Sequence, residues 1–134
     1  MNSKEFLPFV IGITILALIV LGLLFYSRYD STVSEEKNWT EVYRFSGTDN
    51  KETDTFTLTE NKVRISYKIE CDRCYAPYFS VHLVDEDTRD IPAIFGLEAE
   101  GNDSTIARIV PDNYYFRIYA SNLEGWEIIV EELR

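Results

Sequence analysis

The chain has 134 residues, a formal net charge of −10 and 14% aromatic residues. Lys4 and Glu5 cancel and no other charge precedes Arg28, so the excess acid sits entirely in the last hundred or so residues, roughly one domain's worth. Acidity of this kind excludes a nucleic-acid partner, which needs clustered Lys and Arg to displace phosphate counterions. It also excludes electrostatic adhesion to an anionic lipid surface.

Residues 1–5 form a short polar flank, followed by an uncharged apolar run, Phe6 to Tyr26. As a helix its 21 residues would reach about 32 Å, against a bilayer core of about 30 Å. A cleaved secretory signal has a shorter apolar stretch and small residues at the cut. Phe25-Tyr26-Ser27-Arg28-Tyr29-Asp30 supplies no such site. The run therefore predicts a single-pass transmembrane helix over 6–26, an uncleaved signal anchor. Tyr26, Arg28 and Tyr29 suit the lipid–water interface. Gly12, Ala17 and Gly22 recur every five residues, which is not the spacing of a helix-dimer face.

Lys4 before the run and Arg28 and Lys37 after it leave the charge rule for orientation near a tie. Three other features point the C-terminal part to the cell exterior. Long segments translocate largely regardless of charge. Asn38-Trp39-Thr40 and Asn102-Asp103-Ser104 are candidate glycosylation sequons at Asn38 and Asn102. Cys71 and Cys74 are spaced as a local disulfide would allow. A filament-forming pilin also begins with a long apolar helix, and this alternative is kept on length and position alone. No Gly or Ala follows Lys4 to supply the peptidase signature of that class.

Residues 27–38 read as a polar linker, and 39–134 as an antiparallel β-sandwich. Lys62 to Glu70 alternates strictly, with Val63, Ile65, Tyr67 and Ile69 on one face and polar residues on the other, the pattern of a half-buried strand. Shorter strands are predicted over 39–45, 55–59, 78–84, 91–97, 105–110, 114–120 and 126–132. Pro92 demotes the 91–97 segment to an edge. Turn-forming clusters separate them: Gly47 to Asn50, Glu60-Asn61, Asp85 to Asp90, Glu100 to Asp103, Pro111 to Asn113 and Asn122 to Gly125. Seven or eight such strands predict an all-β, Ig-like or jelly-roll-type sandwich.

The stretch Pro-Asp-Asn-Tyr-Tyr-Phe-Arg-Ile-Tyr at 111–119, followed by Trp-Glu-Ile-Ile-Val at 126–130, resembles the last two strands of small secreted prokaryotic sandwiches of the pre-peptidase C-terminal kind. Asp112-Asn113 stands where those domains carry a turn glycine. In layout the chain also resembles accessory proteins of the archaeal motility machinery, which pair an N-terminal span with an exterior sandwich. Both resemblances imply a secreted or membrane-anchored sandwich and transfer no site residue.

Cys71-Asp72-Arg73-Cys74 closes the best strand. A disulfide, two idle thiols, or a metal site formed by Cys71, Cys74 and His82 are the alternatives. A redox role would need the pair at a helix N-terminus. His82 is the only histidine and alternates with Val81 and Leu83, so it faces solvent with Ser80 and Val84, and no nucleophile elbow accompanies it. Asp85 to Asp90 concentrates acids without EF-hand spacing, and Arg89 neutralises part of them; a solvated hairpin is favoured over a calcium loop. Among nine tyrosines, Tyr67 and Tyr114 are assigned to the core, and Tyr75, Tyr78, Tyr115 and Tyr119 to an exposed set able to stack on sugar rings or anchor a protein. No phosphate loop, paired carboxylates or cofactor fingerprint occurs. The expected protein is a non-enzymatic, membrane-anchored exterior module with no cofactor, serving a protein partner or surface ligand. A structural filament subunit and a metal or redox protein using the cysteine pair are the rivals.

Overall fold

The computed structural model describes residues 11–23 and 36–134. Residues 11–23 are helical, with exposed apolar side chains from Ile11 to Leu23. Among the described residues no helix is long and apolar enough to cross a membrane. The remainder of the predicted span, 6–10 and 24–26, lies outside the described residues, as do the flank 1–5, the interface residues Tyr26, Arg28 and Tyr29, and linker positions 27–35.

The second unit, Lys37–Arg134, is entirely β. Its strands are β1 (Trp39–Gly47), β2 (Lys51–Glu52), β3 (Phe56–Leu58), β4 (Lys62–Glu70), β5 (Tyr78–Asp85), β6 (Ala93–Leu97), β7 (Gly101–Arg108), β8 (Asp112–Ser121) and β9 (Gly125–Leu133). A four-stranded sheet runs β1-β9-β4-β7. A five-stranded sheet runs β2-β8-β5-β6, with β3 also on β8. All pairings are antiparallel, and the two sheets form a β-sandwich.

Period-two alternation builds the core. Val63, Ile65, Tyr67 and Ile69 of β4, with Trp126, Ile128 and Val130 of β9, face Phe79, Val81 and Leu83 of β5 and Tyr114, Phe116 and Ile118 of β8. Aromatic rings bridge the sheets: Phe45 lies 5.6 Å from Phe116, Tyr67 4.7 Å from Phe95, and Phe79 6.0 Å from Trp126. Each buried side chain of this size contributes about 1.5–3 kcal/mol, and ring pairing adds about 0.5–1.5 kcal/mol.

Two differences from the expected strands have local causes. β7 begins at Gly101, so a predicted turn is strand instead. Strand β4 offers its whole length, and Asn102 pairs with Lys68 and Gly101 with Ile69; Gly101 adopts φ +148°, a conformation that favours glycine. The added strand β2 pairs only Lys51 with Ile118 and Glu52 with Arg117. β6 is the sheet edge that Pro92 implies, and Gly96 is required there because a Cβ would overlap the Phe79 carbonyl oxygen.

Among the described residues, one charged side chain is completely buried in the sandwich. Glu132 continues the inward phase of β9 and is fully buried. Its carboxylate accepts from the Thr59 amide at 2.6 Å, the Thr59 hydroxyl at 3.1 Å, the Glu60 amide at 3.3 Å and Arg134 Nη2 at 2.6 Å. Burial pushes this carboxyl up, but the Thr59 and Glu60 donors and Arg134 together hold it below its ordinary value.

Candidate functional site

Three of the four tyrosines assigned to the exposed set, and the lone histidine, fall on the outer face of the five-stranded sheet. Outward positions on β5 are Tyr78, Ser80, His82 and Val84; those on β8 are Tyr115, Arg117, Tyr119 and Ser121. The register sets Ser80 beside Tyr119, His82 beside Arg117 and Val84 beside Tyr115. On the other side, His82 pairs with Ile94 of β6. Tyr78 is 46% exposed, Tyr119 40% and Ile94 64%. The His82 ring meets Tyr119 edge to face at 5.5 Å, which fixes the phenol ring while leaving its other surfaces open.

Tyr115 corrects the sequence expectation. It shares the outward phase but is only 5% exposed. Its hydroxyl accepts from Arg89 Nη1 at 3.1 Å and Arg117 Nη2 at 3.3 Å, so two guanidinium groups cover the ring. Arg89 is brought there by the β5–β6 loop. Asp85, buried at the end of β5, accepts from the Asp87 and Thr88 amides at 2.9 and 3.0 Å. Its carbonyl accepts from the Arg89 amide at 3.0 Å, and Arg89 takes a left-handed φ of +64°. Arg89 forms no ion pair among the described residues and directs one guanidinium donor at the Tyr115 phenol.

Arg117 Nε also donates to Glu52 at 3.1 Å, and this bond raises the guanidinium above its ordinary value. Thr55 donates to Glu86 at 3.2 Å. These groups, with Thr53 and Asp54, line a polar cavity of about 350 Å³ beside Tyr115. The period of β8 marks Arg117 as outward. Arg89, Glu52 and Glu86 carry no sequence signal, because separate loops and a two-residue strand deliver them.

The remaining candidates lie elsewhere. Cys71 and Cys74 form a disulfide in the turn after β4, so neither thiolate can bind metal. His82 lies on the outer face of β5, and the Cys71–Cys74–His82 set is overturned. Tyr75, 90% exposed, sits in the same turn next to Asn122, Leu123 and Glu124 of the β8–β9 connection, apart from the tyrosine face. Asn38 and Asn102 are exposed, Asn38 just before β1 and Asn102 on the β7 edge. Oxygens of Asp85, Asp87 and Asp112 lie within 4.8 Å of one another and have the chemistry for a hard cation. Asp85 Oδ1 already accepts two amides of its own loop, and Asp112 Oδ1 accepts the Asn113 amide.

No family model matches the chain, and no curated protein matches it. Among solved structures it is similar to the carbohydrate binding module CBM6cm-2 of Cellvibrio mixtus lichenase 5A, in complex with cellotriose. The two are 9% identical over 75% of this chain and 89% of that one, with a TM-score of 0.43. A pilus protein of Bacillus endospore appendages is 9% identical over 76% of this chain and 96% of that one, with a TM-score of 0.38. A chain of the Streptococcus pneumoniae accessory secretory protein 1, 2 and 3 structure is 10% identical over 78% and 90%, with a TM-score of 0.37. At these identities and scores the similarities assign no ligand or role to this chain.

Proposed function

We propose that this protein is a non-enzymatic, membrane-anchored binding or accessory module, its Ig-like or jelly-roll-type sandwich displayed at the cell exterior by a single span over 6–26. The binding surface is the outer face of the five-stranded sheet. One observation carries this: that face presents Tyr78, Tyr119 and Ile94 exposed on paired strands, and beside them Arg89, from the β5–β6 loop, with no ion pair among the described residues. Exposed aromatics held by a framework are the usual anchors of recognition. The anchor is supported by the apolar helix of 11–23, whose side chains are exposed all round; hydrocarbon is the medium that solvates such a surface without cost.

Two measurements test it. Full-length protein in native membranes should resist alkaline carbonate and dissolve in detergent, and Ser121→Cys should react with an impermeant thiol reagent on intact cells. Release by shear or carbonate, or protection of the cysteine, overturns the anchor or its orientation. A photo-crosslinking side chain at position 119 should give adducts in those membranes, whereas the same group at position 129 on the opposite sheet should not. Equal adducts from both overturn the assignment of the face.

A further inference from the structure

We propose that the outer face of the five-stranded sheet binds a neutral sugar, one ring stacking on Tyr119 and neighbouring hydroxyls entering the cavity walled by Arg89, Arg117, Glu52 and Glu86. The inference rests on that face being the binding surface and names its ligand class.

The cavity's chemistry selects the class. Arg89 and Arg117 can only donate hydrogen bonds, and Glu52, Asp54 and Glu86 only accept them while ionised. A sugar hydroxyl donates and accepts at one atom, so adjacent hydroxyls are matched by guanidinium and carboxylate side by side. A simple anion would gain the two arginines but meet three carboxylates in the same cavity and a chain of net charge −10. A cation would meet the two guanidiniums. A neutral polyhydroxylated ligand avoids both conflicts. The volume of about 350 Å³ lies in the range of small-ligand sites, about 300–1,000 Å³.

The site also has capacity to spare and is preorganised. A guanidinium carries five N–H donors, and Arg89 places one on Tyr115 and none on a carboxylate among the described residues. Among the described residues Glu86 is bonded by a side chain only at one oxygen, from Thr55. Arg89 is held from two sides, by the Asp85-capped loop behind it and the buried Tyr115 phenol in front. Little side-chain freedom is then left to lose on binding. Tyr119 is two residues beyond Arg117 on the same face of β8, about 7 Å further along the strand from that wall of the cavity, so its exposed ring offers an apolar surface to the C–H side of a pyranose whose neighbour enters the cavity.

The test uses the full-length chain in lipid nanodiscs, free of glycolipid and of sugar-headed detergent. It is applied to an array of neutral hexose oligomers and of uronic-acid and sulfated oligomers, with inorganic phosphate titrated separately by calorimetry. Saturable retention on neutral oligomers is expected, weakened about tenfold or more by Arg89→Ala and by Tyr119→Ala and unchanged by Arg64→Ala on the other sheet. Arg89→Lys should weaken it too, since an ammonium lacks the planar fork, and this variant serves if Arg89→Ala fails to fold. Retention of anionic oligomers or phosphate alone, no retention of any neutral oligomer, or retention indifferent to both Arg89 and Tyr119 overturns the proposal. Adducts at position 119 in native membranes without any glycan retention would sink the sugar and leave the binding face standing; loss of both would sink both.

Discussion

On the outer face of the four-stranded sheet, Arg64 grips Glu131 with two bonds of 2.6 and 2.9 Å. Arg44 reaches both Glu41 and Glu127, and Lys68 both Glu70 and Glu127. Arg64 beside Glu131 holds that carboxyl below its ordinary value, and Trp39 lies under the same guanidinium at 4.8 Å. On the five-stranded sheet, Arg117 has Glu52, but Arg89 has a tyrosine, and the neighbouring positions are aromatic. Both faces come from the same strand alternation. The first pairs Arg64, Arg44 and Lys68 with glutamates; the second leaves donors, acceptors and rings unspent, and the proposed recognition is placed there for that reason.

The comparison presumes a sandwich that keeps both sheets in place, and Glu132 is its most sensitive point. Glu132→Ala leaves the Thr59 and Glu60 amides without their acceptor under the four-stranded sheet. A loss of about 3 kcal/mol in chemical denaturation is expected. Because the folded carboxyl titrates below its ordinary value of 4.5, its contribution is complete above that value and disappears as pH falls through the folded one. The wild type should therefore lose stability on acidification over a range where Glu132→Gln loses less. Equal acid sensitivity of the two would remove Glu132 from this role.

Next in size is the disulfide. Cys71→Ser with Cys74→Ser should cost about 2 kcal/mol or less, the closure entropy of so short a loop, and leave both outer faces intact. Ligand retention lost together with the disulfide would mean that the end of the sandwich carrying Tyr75 takes part. Below this stands the paired face. A double-mutant cycle on Arg64→Ala and Glu131→Ala should give about 1 kcal/mol, shrinking with added salt, because both groups are partly exposed and the pair is bidentate.

How much of this could be read in advance depends on how far apart the cooperating residues lie. Nine alternating residues from Lys62 to Glu70 specify β4 to the residue, since the whole pattern is local. Tyr78 and Tyr119 are placed outward by the same local period. Tyr115 has that phase too, but it is buried by Arg89, which lies 26 residues earlier in a loop folded by Asp85. Glu132 extends the inward phase of Trp126, Ile128 and Val130, yet the Thr59 and Glu60 amides that meet it come from 73 and 72 residues away. Alternation determines which way a side chain points. It does not determine what meets it there, and the cavity beside Tyr115 is made wholly of such meetings.

The smallest structural effect should accompany the largest functional one. Tyr119→Ala removes an exposed ring whose ring contact is the edge of His82 at 5.5 Å, so stability should change by about 0.5 kcal/mol. On the other sheet, Ile129→Ala also trims an outward, partly buried position and should cost a comparable amount. If the two faces differ as their charges imply, thermal unfolding will barely separate these variants, while only Tyr119→Ala weakens ligand retention, by about tenfold or more. A large melting loss for Tyr119→Ala would mean that its ring is part of the framework, and the asymmetry between the faces would then be one of packing, not of recognition.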